Sequence, residues 1–218
     1  MHRTASWTRQ PAEWLLLAAL FACYPLSRLL PAAWSREGGP LETLQVLLLG
    51  AGCLYALACY LRTRPARGAL LALWGAPAWL LLAGRELSWG KVLFAAPALD
   101  RAGAVAGGFW FEPAMRPLAV LVLAWLLFSA CYHRIDALLR SALAHRVPWL
   151  CLAVALAAAL GSTCAEGHMH CSPSMFGAAA ERFEELAELV AYAALFLLQA
   201  AVLAAAPLDR LAVEAMTP

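Results

Sequence analysis

Residues 181–206 read ERFEELAELVAYAALFLLQAAVLAAA, and they decide the class of fold. After Glu188 the run to Ala206 carries no charge, and Tyr192 and Gln199 are its only polar side chains. About 20 apolar residues in a helix match the hydrocarbon thickness of a bilayer, so 183–206 is expected to cross one. Glu181, Glu185, Glu188, Tyr192 and Gln199 are spaced by 4, 3, 4 and 7, which lines them up as one stripe on a helix, with Glu184 beside it. A carboxylate deep in a bilayer costs roughly 2.5–3.5 kcal/mol on insertion scales, so such a stripe is expected to face protein and to have a task. Acids in a first turn also complement the helix dipole, which accounts for Glu181 and covers Glu184 and Glu185 less well. It covers Glu188 worst, because that residue lies further into the apolar run.

The remainder of the chain extends the same reading. Of 218 residues 63% are hydrophobic and 14% are charged, a composition outside that of ordinary soluble domains. Trp14, Trp34, Trp89, Trp125 and Trp149 sit near the ends of apolar runs, as interfacial anchors do. The net charge of +2 gives a nucleic acid no electrostatic footprint; the expected partner is the lipid bilayer, and self-association as a homo-oligomer stays open. Six spans satisfy the length rule, near 12–33, 42–61, 68–85, 117–134, 147–165 and 183–206, predicting an all-α bundle of six transmembrane helices in a single domain over 1–218. Pro25 and Arg28 are expected to kink or shorten the first span. A cleaved signal peptide is the competing reading of residues 1–34, although no clear small-x-small site is present.

Charge asymmetry orients the spans. With six crossings, both termini share a side with the turns near 62–67 and 134–146. That side holds nine basic residues, among them Arg62, Arg64, Arg67, Arg134, Arg140 and Arg146, against four acidic ones, a net of +5. The other side has seven basic and ten acidic residues, a net of −3. Arg-rich short turns belong in the cytoplasm, so both termini are expected there, with segments 86–116 and 166–182 outside. Richness in Ala, Leu and Arg fits a GC-rich bacterial genome and hence the bacterial inner membrane.

Three polar features meet on that outer side. The α-stripe is one. Another is Gly84-Arg85-Glu86-Leu87-Ser88-Trp89-Gly90-Lys91, read either as an interfacial helix end or as a pair, Glu86 and Ser88, turned toward the last helix with Arg85 or Arg182 neutralising an acid. The third is Cys164-Ala-Glu166-Gly-His168-Met-His170-Cys171. Two His and two Cys suit zinc or copper, whereas an oxidising compartment favours a Cys164–Cys171 disulfide closed by a turn at Gly167; a plain polar loop is the third reading. Cys23, Cys53, Cys59, Cys131 and Cys151 lie in or beside spans and read as packing residues. The chain has no Gly-rich phosphate loop, GxSxG or HExxH.

The segment Glu86-Leu87-Ser88-Trp89-Gly90-Lys91 resembles the E-[IL]-S-W-G-Q box of a group of bacterial polytopic membrane proteins without an assigned activity. The start of the last helix, Phe183-Glu184-Glu185-Leu186-Ala187-Glu188, is similar to that group's closing span. Arg85 and Lys91 depart from the pattern, where a second acid and Gln are common. The resemblance implies the same polytopic architecture and no reaction. Two functional classes follow from the residues. One is a non-enzymatic protein whose outward Glu/Ser/His polar site, with Glu86, Ser88, Glu184, Glu185, Glu188 and Tyr192, handles a cation, a proton or a small solute. The other is a zinc-dependent membrane hydrolase loosely resembling the alkaline ceramidase and adiponectin-receptor superfamily, with His168 and His170 as ligands; that superfamily's H-x-x-x-H motif is absent.

Overall fold

The computed structural model describes residues 9–36, 38–64, 69–87, 112–145, 148–168, 171 and 176–205. All regular structure among them is helical: α1 (Arg9–Leu29), α2 (Pro40–Thr63), α3 (Ala69–Glu86), α4 (Glu112–Tyr132), α5 (Ile135–His145), α6 (Trp149–Ala165) and α7 (Ala180–Ala205). Short 3-10 turns, Ala32–Trp34 and Gly177–Ala179, precede α2 and α7. Three stretches are long and apolar enough to cross a membrane, Pro11–Leu29, Pro40–Thr63 and Gly177–Ala204. Pro117–Tyr132 and Trp149–Ala165 are apolar but shorter. At a rise of 1.5 Å per residue a helix of the length of α6 covers about 25 Å, somewhat less than the hydrocarbon core of about 30 Å.

The chain divides into two compact units. The first consists of residues 1–48 and 146–204, the second of 49–145 and the C-terminal 205–218, so α2 passes from one to the other after Leu48.

In the first unit α1, the start of α2, α6 and α7 enclose a core of Leu16, Cys23, Leu41, Cys151, Val154, Ala155, Ala158, Leu186, Val190, Ala191 and Ala194. The buried face of α6 is Cys151, Val154, Ala155, Ala158, Ser162 and Ala165, almost all small residues at helical spacing. Small residues let helix backbones approach closely, which matters in lipid, where the tails are as apolar as the core and packing supplies the attraction. A Cβ added at Gly161 would stand 3.5 Å from the Phe183 ring, ordinary contact between α6 and α7. Helix α1 runs through Pro25 and ends at Leu29, earlier than the predicted 33, and the chain then turns through Ala32–Trp34. Pro40 opens α2, where a missing N–H costs nothing, and Glu42 in that first turn accepts a hydrogen bond from the Gly38 N–H.

In the second unit α3 packs on α4 and α5, and α4 on α5. Trp74 donates its indole N–H to the Leu126 carbonyl at 3.0 Å, and Trp79 lies against Gly52 of α2. The predicted turn at 134–146 is instead the helix α5. Its apolar residues Ile135, Leu138, Leu139 and Ala142 recur at helical spacing, and Asp136 pairs with Arg140 one turn on. Eleven residues are too few to cross a bilayer, and the two charges masked the periodicity. Arg134, with φ of 51°, makes the sharp bend from α4 into α5.

Both units expose apolar side chains freely. On α2 Leu47, Leu54 and Leu61 recur every seven residues, and each is more than 60% exposed. On α4 Leu118, Leu121, Phe128 and Tyr132 are similarly bare. Soluble proteins rarely present surfaces of this kind; they are compatible with contact to lipid.

Candidate functional site

The α7 stripe sinks progressively into the first unit. Glu181 is exposed, Glu184 and Glu185 are half-buried, and Glu188 and Tyr192 retain only 8% and 5% exposure. An amphipathic first turn in headgroups and an apolar continuation in lipid would place the acids so, since the stripe turns toward α2 and α6 as the helix descends. Ser162 of α6 donates its hydroxyl to Glu188 Oε1 at 3.2 Å. The expectation that Glu188 faces protein is met on this side, and Ser162 is its described partner.

Glu185 meets α2. The side-chain nitrogen of Gln45, a residue with no exposed surface, donates to both the main-chain oxygen and Oε2 of Glu185, each at 2.9 Å. Two buried acceptors on the same face of α2, Gln45 Oε1 and Glu42 Oε1, have no hydrogen-bond partner. Native interiors rarely leave such atoms unsatisfied, and the cost is about 1–3 kcal/mol each. Glu184 is half-buried, and the carboxyl groups of Glu166, just beyond the end of α6, and of Glu185 and Glu188 are close enough to act on it electrostatically. Arg182 does not join this cluster through its described contact; its Nε donates to the Ser27 carbonyl at 2.7 Å and so caps the last turn of α1.

Cys164 and Cys171 form a disulfide, with their Cα atoms 5.3 Å apart. The local chain prepares it. Gly167, at φ of 82°, donates to the Cys164 carbonyl while His168 donates back to Thr163, the paired bonds of a Schellman ending that reverses the chain. The Gly167 turn proposed from sequence is therefore present. The same reversal carries Glu166 to Glu184 and leaves His168 Nε2 3.5 Å from Glu166 Oε2. Cys164 and Cys171 should resist alkylation until the protein is reduced, whereas exposed Cys131 reacts without reduction once detergent replaces lipid. Mass spectrometry of labelled peptides checks this, and labelling of both without reductant would contradict the bridge.

With both thiols in the disulfide, the metal reading of this loop rests on histidines alone. His170 and Ser88 lie outside the described residues, and among the described residues no three His, Cys, Asp or Glu side chains gather as metal ligands. Glu86 belongs to the second unit, where its nearly buried carboxylate lies 3.9 Å from the Arg85 guanidinium. Sequence reasoning passed over Gln45, Ser162, Glu42 and Glu166. The signal for Gln45 was available, a lone amide in the apolar run Leu44-Gln-Val-Leu-Leu-Leu49, where a polar side chain is costly and needs a reason. Compared with protein-family models, curated proteins and solved structures, the chain has no match.

Proposed function

We propose that this chain is a polytopic protein of the bacterial inner membrane that crosses it six times, through α1, α2, α3, α4, α6 and α7, and handles a proton or a cation at the α7 acids. The observation that carries this reading is the gathering of acids at the start of α7. Glu42, Glu184, Glu185 and Glu188 are withdrawn from solvent on or beside apolar helices, with the Gly38 N–H, Gln45 Nε2 and the Ser162 hydroxyl among the donors to them. Acids withdrawn into apolar helices in this way are typical of proton and cation pathways. The charge asymmetry of the connections supports cytoplasmic termini, and the Cys164–Cys171 disulfide suits an oxidising outer side for the end of α6.

Two experiments test the reading. Reporter fusions after Pro65, after Arg146 and after Pro218 should all report cytoplasm; a periplasmic signal from any of them overturns the orientation or the number of crossings. Purified protein in liposomes, given a proton or sodium gradient, should dissipate it faster than empty liposomes. Equal rates for both ions, with protein inserted in the native orientation, would remove the transport role.

A further inference from the structure

Arg134 stands where glycine is the usual residue. It follows the last turn of α4, with the His133 N–H on the Ser129 carbonyl at 2.9 Å and its own N–H on the Cys131 carbonyl at 3.3 Å. Its φ of 51° bends the chain, and its carbonyl then accepts from the N–H groups of Ala137 and Leu138, at 2.9 and 3.2 Å, to begin α5. In this left-handed region an L side chain crowds the following carbonyl, so helix endings of this kind favour glycine. A long cationic side chain held there against the backbone's preference points to a use for its charge. The side chain is exposed, and among the described residues no hydrogen bond or ion pair engages its guanidinium.

Helix α4 builds an apolar approach to it. Leu121, Trp125, Phe128 and Tyr132, spaced by 4, 3 and 4, form one stripe on the helix and are 66, 47, 67 and 72% exposed. The Phe128 and Tyr132 rings stack with centroids 5.8 Å apart, and the His133 imidazole stands edge-on to Tyr132 at 4.9 Å. Polarity therefore rises along this face, from hydrocarbon through a phenol and an imidazole to a guanidinium. A phospholipid has the same order in its acyl chain, ester and phosphate. We propose that this face of α4 binds one anionic phospholipid, with an acyl chain along the stripe and the phosphate on the Arg134 guanidinium.

Charge selects the occupant. Arg140, the next cation along α5, already has its guanidinium on the Asp136 carboxylate, so its charge is balanced within the helix. The guanidinium of Arg134 is the one left to meet a headgroup, and its paired N–H donors match two phosphate oxygens. A zwitterionic headgroup carries its own ammonium beside the phosphate and gains less from the contact. Basic side chains at the cytoplasmic end of a span attract anionic lipid, and Tyr132 is of the residue type that settles at headgroup level. The site is independent of the α7 acids; it rests on the reading of α4 as a crossing that ends at the membrane surface.

Thermal unfolding of the full-length protein in micelles of a neutral detergent tests this. A ligand that binds the folded state raises the midpoint, so added phosphatidylglycerol should raise that of the wild type, and the same amount of phosphatidylcholine should raise it less. Arg134→Gly should unfold at or above the wild-type temperature in detergent alone, because glycine adopts a φ of 51° without strain. Its apparent affinity for phosphatidylglycerol, read by titrating the midpoint, should nevertheless fall about fivefold, the usual share of one cation at an anionic surface. Arg134→Lys, which keeps the charge and loses the paired donors, should fall between the two. An affinity unchanged in Arg134→Gly would overturn the proposal. So would a wild-type rise reproduced by glycerol phosphate alone, which would make this a free-phosphate site. Arg134→Gly unfolding well below the wild type in detergent alone would overturn it too, since the guanidinium would then be holding the fold. Micelles have no sides, so a periplasmic reporter after Arg146 would correct the orientation and leave the lipid titration to decide the site.

Discussion

Glu188→Gln is expected to lower ion flux in liposomes by more than about tenfold, a change of only ~1.4 kcal/mol in a barrier, while leaving the protein folded. The amide oxygen of glutamine can still accept the Ser162 hydroxyl, so the contact between α6 and α7 survives the substitution. What it loses is the carboxylate charge and the capacity to take up a proton. Ser162→Ala separates the two roles from the other side. It leaves the acid in place but removes one donor to a carboxylate that is 8% exposed, at a cost of about 1 kcal/mol for a lost hydrogen bond. The thermal midpoint in detergent should therefore fall for Ser162→Ala and hold for Glu188→Gln. Wild-type flux from folded Glu188→Gln protein would mean that this acid is structural.

The second large effect belongs to the other unit and concerns packing. A Cβ at Gly52 would stand 2.6 Å from both Cδ2 and Cε2 of Trp79, a ring that is 5% exposed and cannot swing aside. Gly52→Ala should thus destabilise the unit by about 1–3 kcal/mol, the usual range for overpacking. Gly50, two residues earlier on the same helix, is the control. A Cβ there meets nothing within 4 Å, so Gly50→Ala should be neutral or gain up to about 1 kcal/mol from helix propensity. Thermal unfolding of the two variants side by side decides the matter, and a Gly52→Ala midpoint at or above that of Gly50→Ala would contradict the contact between α2 and α3.

Much of the helical content could be read from apolar runs, because long uncharged stretches leave few alternatives to a helix in lipid. Helix α5 could not be found by that rule. It is short, amphipathic and charged, and it forms because Ile135 packs at 6% exposure beneath it while Asp136 and Arg140 pair outside. The acids of α7 were legible as a stripe, since helical geometry alone puts residues 181, 185, 188 and 192 on one line. The partners of that stripe were not. Gln45 is 140 residues from Glu185 and Ser162 is 26 from Glu188, and no local pattern links them.

The amino-acid sequence by itself determined that this protein is helical and apolar, that an acidic stripe opens its last helix, and that two cysteines flank a glycine able to turn the chain. These are consequences of composition and of periodicities of a few residues, which act before any helix meets another. Only the tertiary structure decided which acids are withdrawn from water, which donors reach them, and which acceptors are left waiting. Burial and hydrogen bonding are properties of pairs of surfaces, so Gln45 could become the partner of Glu185 only once α2 had been laid against α7.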